Sequence, residues 1–234
     1  MKSTVDQIRA RFDHEVDRFA DLETAQSSTV DAPRILDLIA RAAAATNPCA
    51  THVLDIGCGA GNYALKLLGL LPRLNVVLVD LSAPMLERAA QRIRPATTGR
   101  TTVVQADIRA LALGAARFDI IMAAAVFHHL RSDDEWEAVF AKCHAALVPG
   151  GSFWISDLID HETTPVQALM WGHYRAYLTG LRDAPYGEQV FECVEQEDTP
   201  RPLLYQIDLL RRVGFRTVEV LHKNSCFAAF GAIK

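Results

Sequence analysis

The stretch Val53-Leu54-Asp55-Ile56-Gly57-Cys58-Gly59-Ala60-Gly61 decides the fold, because in it an apolar run leads into three glycines at alternate positions. An apolar run that ends in a glycine turn and precedes a helical pattern is typical of the first β–α unit of a doubly wound sheet. Glycine lets the backbone approach a ligand closely, and the following helix offers free N–H groups in its first turn. The stretch predicts a ligand site, but alone it does not separate one nucleotide-like cofactor from another.

The alternation of strand and helix continues after this turn. Apolar runs predict strands at 52–56, 75–80, 101–106, 118–124 and 152–157, and helical patterns lie between them at 62–71, 83–93 and 133–147. Near-continuous apolar strands are expected in a parallel sheet that is covered on both faces. The pattern therefore predicts an α/β fold with a Rossmann-like, doubly wound sheet.

The flanking segments follow other patterns. Apolar residues spaced by three and four predict an amphipathic helix over the first 26 residues, and a second helix follows at 31–46. After the core, we predict a helix at 161–180, a polar loop or lid with three prolines at 183–202, and a helix at 203–213. Two closely linked short strands, at 215–221 and 226–233, should pair antiparallel. We therefore divide the chain into an N-terminal helical cap (1–50), a core (51–157), a helical insertion or lid (158–202), and a C-terminal helix with a hairpin that completes the sheet (203–234).

Three acidic residues follow consecutive strands and favour a cationic cofactor over a dinucleotide. Asp55 lies two residues before the first glycine, where it would repel a pyrophosphate and attract an ammonium or a sulfonium group. Asn62 stands where a dinucleotide loop has its third glycine. Asp80 ends the next strand and can accept hydrogen bonds from a ribose diol, as in dinucleotide enzymes also. Asp107 follows the third strand and could accept from an adenine amino group, with Ile108 against the ring.

These motifs, in this order, resemble those of class I S-adenosylmethionine-dependent methyltransferases over roughly 51–157. The matching segments are Val53–Gly61, Leu78–Met85, Ala106–Ile108, Phe118–Leu130 and Leu147–Gly151. The resemblance implies a seven-stranded sheet with an antiparallel last strand and S-adenosylmethionine as the cofactor. The positions that match the family's cofactor site are Asp55, Gly57, Cys58, Gly59, Gly61, Asp80, Leu81, Met85, Asp107, Ile108 and Ala124.

The layout outside the core also resembles carboxy-S-adenosylmethionine synthases. That family holds the extra carboxylate of its cofactor with an arginine in the penultimate helix, where this chain has Leu209. A tyrosine expected before the second helix is also missing, near Ala32. Because of these two departures, a synthase of this type, acting in tRNA wobble-uridine modification, is an alternative and not the main prediction.

Candidates for catalysis are few. His128 and His129 follow the fourth strand, at the sheet edge where α/β proteins bind ligands, and one of them could act as a general base. We favour the alternative that they cap the helix that begins at Ser132 or pack beneath the cofactor. Tyr174 belongs to an aromatic stripe in the insertion that would line an acceptor pocket or form core. In-line methyl transfer from a sulfonium depends mainly on positioning, so the methyl acceptor leaves little trace in the sequence.

Composition narrows the function classes. The net charge is −4, which argues against a nucleic-acid partner. The five cysteines include no CxxC pair, so we predict neither a disulfide framework nor a metal site. No apolar run has the length of a membrane span and the first residues do not resemble a signal peptide, so we expect a cytoplasmic protein. We expect a methyltransferase with a small-molecule acceptor, and one alternative for its assembly is a homodimer. An NAD-dependent oxidoreductase and a non-catalytic S-adenosylmethionine-binding subunit are the other readings.

Overall fold

The computed structural model describes residues 2–20 and 27–234. Its helices are α1 (Val5–Asp13), α2 (Val16–Ala20), α3 (Ala32–Thr46), α4 (Asn62–Leu68), α5 (Ala83–Ile93), α6 (Asp133–Ala146), α7 (Thr164–Leu181), α8 (Ala184–Glu197) and α9 (Leu203–Arg212). Its strands are β1 (His52–Ile56), β2 (Asn75–Asp80), β3 (Thr101–Gln105), β4 (Phe118–Ala124), β5 (Leu147–Asp160), β6 (Arg201–Pro202), β7 (Thr217–Asn224) and β8 (Phe227–Ile233).

The strands form one sheet in the order β3-β2-β1-β4-β5-β8-β7. β1 pairs in parallel with both β2 and β4, and β5 continues the parallel sheet beside β4. β8 is antiparallel to both of its neighbours, β5 and β7. The predicted doubly wound α/β sheet with an antiparallel last strand is therefore confirmed. The two-residue β6, which pairs with β5 off this path, makes the strand count eight rather than seven.

Both faces of the sheet are covered, as the apolar strands predict. Successive residues of a strand point to opposite faces, so Val53 packs in one core cluster and Leu54 in the other. α3, α4 and α5 pack on the Val53 face, whereas α6 and α9 pack on the Leu54 face. The carboxyl ends of the parallel strands consequently remain open between the two helical layers, which is where such folds bind ligands.

The N-terminal prediction needs a correction. The single amphipathic helix expected over the first 26 residues is two helices, α1 and α2, separated at His14 and Glu15. The ring centroids of Phe12 in α1 and Phe19 in α2 lie 5.8 Å apart. The regularly spaced apolar residues therefore pack against each other, although they belong to two helices. The part of the predicted helix at 21–26 lies outside the described residues.

The predicted loop at 183–202 is also wrong, because α8 occupies most of it. The Asp183 side chain accepts a hydrogen bond from the Tyr186 backbone N–H and so caps the helix, and Pro185 lies in its first turn, where proline is tolerated. The other two prolines, Pro200 and Pro202, follow the helix end. The prolines therefore bracket a helix rather than mark a loop.

α7 and α8 form a third core cluster with the start of β8. Buried Tyr174 and Leu178 of α7 pack there with Phe227, and Val190 and Val194 of α8 lie against them. The segment 183–202 is polar in composition, yet most of it forms a helix, because α8 packs its apolar side chains against α7 in this cluster. Along residues 2–20 and 27–234, none of the helices has the length and apolar character needed to cross a bilayer. The division of the chain into four units stays a prediction.

Candidate functional site

A cavity of about 210 Å³ opens at the carboxyl ends of β1, β2 and β4. The strands and turns form its floor, and side chains of α1 and of the end of α8 cover it. Of the eleven positions predicted to bind the cofactor, ten line this cavity: Asp55, Gly57, Cys58, Gly59, Asp80, Leu81, Met85, Asp107, Ile108 and Ala124. The eleventh, Gly61, is not among the lining residues.

The three glycines of the turn have different structural roles. Gly57 has φ +61°, and a Cβ there would lie 2.4 Å from Cγ2 of Val126, so both conformation and space exclude a side chain. Gly59 has φ +49° with nothing within 4 Å of a built Cβ, so it leaves open room on the cavity side. Gly61 has φ +83°, and its Cβ would meet Ala89 of α5 at 3.2 Å. The third glycine therefore serves helix packing, whereas the first two shape the cavity wall.

Asp80 connects the glycine turn to the second strand. Its Oδ2 accepts a hydrogen bond from the Gly59 backbone N–H at 2.8 Å, and its Oδ1 accepts from the Ser82 N–H at 2.9 Å. Burial raises the pKa of this carboxyl, although these backbone N–H groups oppose the shift. Each carboxylate oxygen can accept a further hydrogen bond, so Asp80 can hold the loop and a diol together.

Asp55 is almost fully buried below the turn, 2% exposed. Its Oδ2 accepts a hydrogen bond from the Ala64 backbone N–H at 3.3 Å. Burial raises the pKa of Asp55 to about 7, with a further contribution from the nearby charge of Asp80. A buried carboxylate of this kind is a strong partner for a bound cation, because burial removes the water that would otherwise stabilise its ionised form.

The surroundings of Asp107 differ from the expectation. Both of its carboxylate oxygens accept from the Arg109 guanidinium, with Nη2 to Oδ2 at 2.6 Å, and Oδ1 also accepts from the Arg109 backbone N–H at 2.9 Å. Burial opposes ionisation, but Arg109 lowers the pKa of Asp107 below its ordinary value. In the sequence, an acidic residue followed two positions later by an arginine indicates such an ion pair. At the predicted position, an adenine amino group would share the Asp107 carboxylate with Arg109.

Lys142 of α6 supports the 107–109 loop from behind. Its ammonium donates hydrogen bonds to the carbonyl oxygens of Ile108 at 2.7 Å and Arg109 at 3.0 Å. The sequence offered no motif for this contact, because α6 lies far along the chain. Lys142 is thus a positioning residue for the cavity wall that Ile108 forms.

Replacing Lys142 by methionine should loosen this wall without removing a side chain from the cavity. We expect S-adenosylhomocysteine binding to weaken by about threefold, since the hydrogen bonds lost are only partly coupled to the ligand. Isothermal titration calorimetry measures the change. Lys66→Met, which removes a lysine paired with Asp37 at 3.0 Å, is the matched control and should bind like the wild type. Equal losses in both variants would contradict the role of Lys142.

The cover of the cavity comes from two segments far apart in the chain. The Arg11 guanidinium of α1 donates to both carboxylate oxygens of Glu197, at 2.8 and 2.5 Å. Arg131 donates to the carbonyl oxygens of Glu197 at 2.5 Å and Ser3 at 3.2 Å, which ties both segments to the turn after β4. These segments belong to the predicted N-terminal cap and to the predicted insertion, but no local motif indicates the pairing of Arg11 with Glu197.

A second cavity, of about 430 Å³, lies beside the first under the insertion. Tyr174, Tyr186 and Phe227 contribute aromatic surface to it. Six residues line both cavities: Arg11, Ala125, His128, Cys193, Glu197 and Asp198. Tyr174 therefore lies away from the first cavity and faces only the second.

Ala125 marks the junction with an unusual backbone. Its φ of +57° is in the left-handed region, which costs energy for a residue with a Cβ. The Ala125 N–H donates to the Ser156 carbonyl oxygen at 2.8 Å, which holds this conformation. Such strain occurs at functional sites when surrounding structure enforces it.

The two histidine candidates lie at the same junction. Asp157 is bonded to Nδ1 of His128, and its carboxylate also accepts from the backbone N–H groups of Phe127 and Leu158, both at 2.8 Å. Nε2 of His128 lies 3.7 Å from Oδ1 of Asp198, and Nδ1 of His129 lies 3.1 Å from the same oxygen. Burial would lower the pKa of His128, but the Asp198 and Asp157 carboxylates prevail and raise it to about 9. His128 is thus cationic in this arrangement, which is unsuited to a resting general base.

Comparison with known proteins supports the assignment of the core. A family described as a methyltransferase domain matches residues 53–151. A ubiquinone/menaquinone biosynthesis C-methyltransferase from Syntrophotalea carbinolica is 34% identical over 55% of this chain and 51% of its own length. A carboxy-S-adenosyl-L-methionine synthase from Trichodesmium erythraeum is 26% identical over 79% of this chain and 73% of its own length. The chain thus spans about half the length of the first of these relatives.

Solved structures share the fold well beyond the matched domain. A Burkholderia thailandensis 1,6-didemethyltoxoflavin-N1-methyltransferase, solved with 1,6-didemethyltoxoflavin and S-adenosylhomocysteine, superposes with a TM-score of 0.64 at 19% identity. The match covers 100% of this chain and 92% of that one, so the caps correspond as well as the core. Residues 53–151 therefore match a methyltransferase domain, and the ordered motifs and the antiparallel β8 support a class I S-adenosylmethionine-dependent methyltransferase.

Proposed function

We propose that this chain transfers a methyl group from S-adenosylmethionine, held in the first cavity, to a small molecule held in the second. The observation that carries the proposal is the wall shared by the two cavities. Six residues line both, including Ala125 and His128 at the end of β4. A donor and an acceptor on either side of this wall can meet in line, and such positioning accounts for most of the catalysis of a methyl transfer.

On the donor side, we assign each polar residue to one charge or hydroxyl group of the cofactor. The buried Asp55 carboxylate is the partner for the ammonium group, directly or through water, and Asp80 is the partner for the ribose diol. The apolar side chains of Leu81, Met85 and Ile108 provide the surface for adenine. When bound, S-adenosylmethionine supplies an electrophilic methyl group on a sulfonium.

On the acceptor side, the second cavity favours a small molecule with an aromatic or otherwise planar portion. Tyr174, Tyr186 and Phe227 offer apolar faces, while Gln189 and Ser156 offer polar groups. The Burkholderia thailandensis structure was solved with bound 1,6-didemethyltoxoflavin, and its match covers 100% of this chain. This correspondence supports a small-molecule acceptor and does not name it.

The carboxy-S-adenosylmethionine synthase alternative has one relative in its favour and one residue against it. The relative from Trichodesmium erythraeum is similar over most of both chains. Leu209, at the position expected to supply the arginine, is fully buried in the hydrophobic core. It therefore offers no cation to an extra carboxylate, and we favour the methyl donor.

The deciding experiment has a binding part and a transfer part. Calorimetry should give tighter binding of S-adenosylhomocysteine than of NADH, and mass spectrometry of the freshly purified protein should find S-adenosylmethionine or its demethylated product. Incubation with methyl-labelled S-adenosylmethionine and a set of small heteroaromatic and phenolic compounds then screens acceptors. Tighter binding of NADH would overturn the family-based cofactor assignment, and recovery of a carboxylated cofactor would select the synthase alternative.

A further inference from the structure

We propose that His128, His129 and Asp198 form a binding site for a divalent transition-metal ion in the wall between the two cavities. Each residue offers one ligand atom, and these atoms all lie within 4.8 Å of one another. His128 and Asp198 are buried, and His129 is partly buried. The cluster brings together the turn after β4 and the residue that follows α8, so sequence spacing gives no sign of it.

The donor set suits ions such as Zn²⁺. Two imidazole nitrogens and one carboxylate oxygen are ligands that zinc and its neighbours accept, and three protein ligands leave a position for water or a substrate atom. In a tetrahedral zinc site, bonds of about 2.0–2.1 Å place neighbouring ligand atoms roughly 3.4 Å apart. The distances from Oδ1 of Asp198 to Nε2 of His128 and to Nδ1 of His129, 3.7 and 3.1 Å, lie near that value. Asp198 follows the last residue of α8, where a small adjustment does not disturb helical hydrogen bonds.

Asp157 provides the supporting contact that such sites require. It bonds Nδ1 of His128 and is itself held by two backbone N–H groups, so the His128 ring is fixed with Nε2 turned toward Asp198. Metal-binding histidines commonly have this arrangement: one ring nitrogen is bonded to a carboxylate, and the other is directed to the ion.

His129 is less constrained than His128. Its Nδ1 lies near both the Asp198 carboxylate and the Glu197 carbonyl oxygen, the latter at 3.3 Å. Its Nε2 is buried without a hydrogen-bond partner in the part of the chain that the structure describes. With Nδ1 as the ligand atom, the lone pair of Nδ1 is directed to the ion and the ring proton lies on Nε2.

The charge count supports a cation. Asp157 and Asp198 place two buried carboxylates beside His128, and an ion bound at Nε2 of His128 would replace the proton that these carboxylates stabilise on the ring. The Arg11 guanidinium is bonded to Glu197 and Glu15, the Arg131 guanidinium donates to the carbonyl oxygens of Glu197 and Ser3, and the Lys2 ammonium contacts carbonyl oxygens. A divalent ion would bring one more positive charge than the proton it displaces from His128, which suits a cluster that holds two buried carboxylates.

An ion at this position would face both cavities, because His128 and Asp198 line each of them. It could bind an oxygen or nitrogen atom of a small molecule in the second cavity and lower the pKa of a bound hydroxyl. The proposal goes beyond methyl transfer and does not depend on it, since metal binding is measured without S-adenosylmethionine.

The test is a titration of chelator-treated, desalted protein with ZnCl₂ by calorimetry, followed by Co²⁺ absorption spectroscopy. We expect one ion per chain with a dissociation constant of about 10 μM or tighter, equivalent to roughly −7 kcal/mol. Asp198→Asn and His129→Gln should each weaken binding tenfold or more, which is about 1.4 kcal/mol. His222→Gln is the matched control, because it removes an imidazole that lies 2.9 Å from a carboxylate, Asp31, outside the cluster.

The proposal is overturned if the wild-type protein shows no saturable binding below millimolar Zn²⁺, or if both cluster variants bind like the wild type. It is equally overturned if His222→Gln loses as much affinity as they do. Thermal unfolding without metal checks that each variant folds. If Asp198→Asn does not fold, the zinc affinity of His129→Gln decides the outcome. X-ray absorption at the zinc edge identifies the ligand atoms in the wild-type protein, so this measurement needs no variant. Imidazole ligands would support the proposed site, and sulfur ligands would contradict it.

Discussion

Replacing Asp80 by alanine is expected to weaken the binding of S-adenosylhomocysteine at least about tenfold, a loss of ~1.4 kcal/mol or more. Two effects act in the same direction. The substitution removes the proposed acceptor for the ribose diol, and it also removes the carboxylate that accepts from the backbone N–H groups of Gly59 and Ser82. The turn then loses its tie to β2, and the N–H groups left behind need new partners. Isothermal titration calorimetry at constant pH measures the loss.

Two further variants show which effect dominates. Asp80→Asn keeps one acceptor oxygen and should lose less affinity than Asp80→Ala. Asp134→Ala removes an exposed carboxylate from the first turn of α6 and should bind like the wild type. If Asp80→Ala folds and binds S-adenosylhomocysteine as tightly as the wild type, the assignment of Asp80 to the ribose is wrong.

Replacing Asp55 by asparagine is expected to make the ligand-free protein more stable at pH 8 while weakening its hold on the cofactor. Asparagine retains an oxygen that can accept from the Ala64 N–H, but it carries no charge. Burial raises the pKa of Asp55 from an ordinary value of 3.8 to about 7, so its ionised form costs stability. Since one pKa unit is about 1.4 kcal/mol, the cost at pH 8 is of the order of 4 kcal/mol at most. Loss of the proposed partner for the ammonium group explains the weaker binding.

The pH dependence of this effect has a definite sign. A carboxyl whose folded-state pKa is raised binds its proton more tightly in the folded than in the unfolded chain. Its contribution is therefore favourable below about pH 4 and declines as the pH rises to about 7. The stability advantage of Asp55→Asn over the wild type should grow across that window and then level off. Thermal unfolding of both proteins from pH 4 to pH 8.5, without ligand, measures the difference.

Cofactor binding should show the complementary trend. An ammonium group favours the ionised carboxylate, so the affinity of the wild type for S-adenosylhomocysteine should rise as the pH increases through 7. Binding below pH 7 should also release a proton, which calorimetry detects as a heat that depends on the buffer. A constant stability difference between the two proteins, or an affinity of Asp55→Asn with the same pH dependence as the wild type, would contradict this account of Asp55.

The lining of the first cavity was largely predictable because many of its residues lie in consecutive strand–turn units. Asp55 and Gly57 lie in one strand–turn unit, and Asp80 ends the next strand, so parallel pairing of β1 with β2 brings them together without further information. The role of Gly61 was less accurately predicted. Its glycine pattern is visible in the sequence, but the contact that requires it is made with Ala89, on a helix further along the chain.

The acceptor side was not predictable for a physical reason. Its wall depends on α8, whose helix is stabilised by packing of Val190 and Val194 on α7 rather than by a long apolar stripe. Prolines that bracket the helix look like loop residues until the cap at Asp183 is known. Asp198 therefore reaches His128 only through tertiary structure, and no short motif connects the two.

The place of β8 has a consequence for how the chain folds. Residues 227–233 lie between β5 and β7 and pair with both, and Gly231 lies so close to Trp154 that a Cβ would approach that ring within 2.2 Å. During synthesis from the N-terminus, the long β5 has an unpaired edge until these residues emerge from the ribosome. An exposed edge of this kind invites pairing with other chains, and its native partner is distant in sequence, which slows folding. Expression at lower temperature, or with a chaperone that shields nascent strands, should therefore favour the yield of native protein.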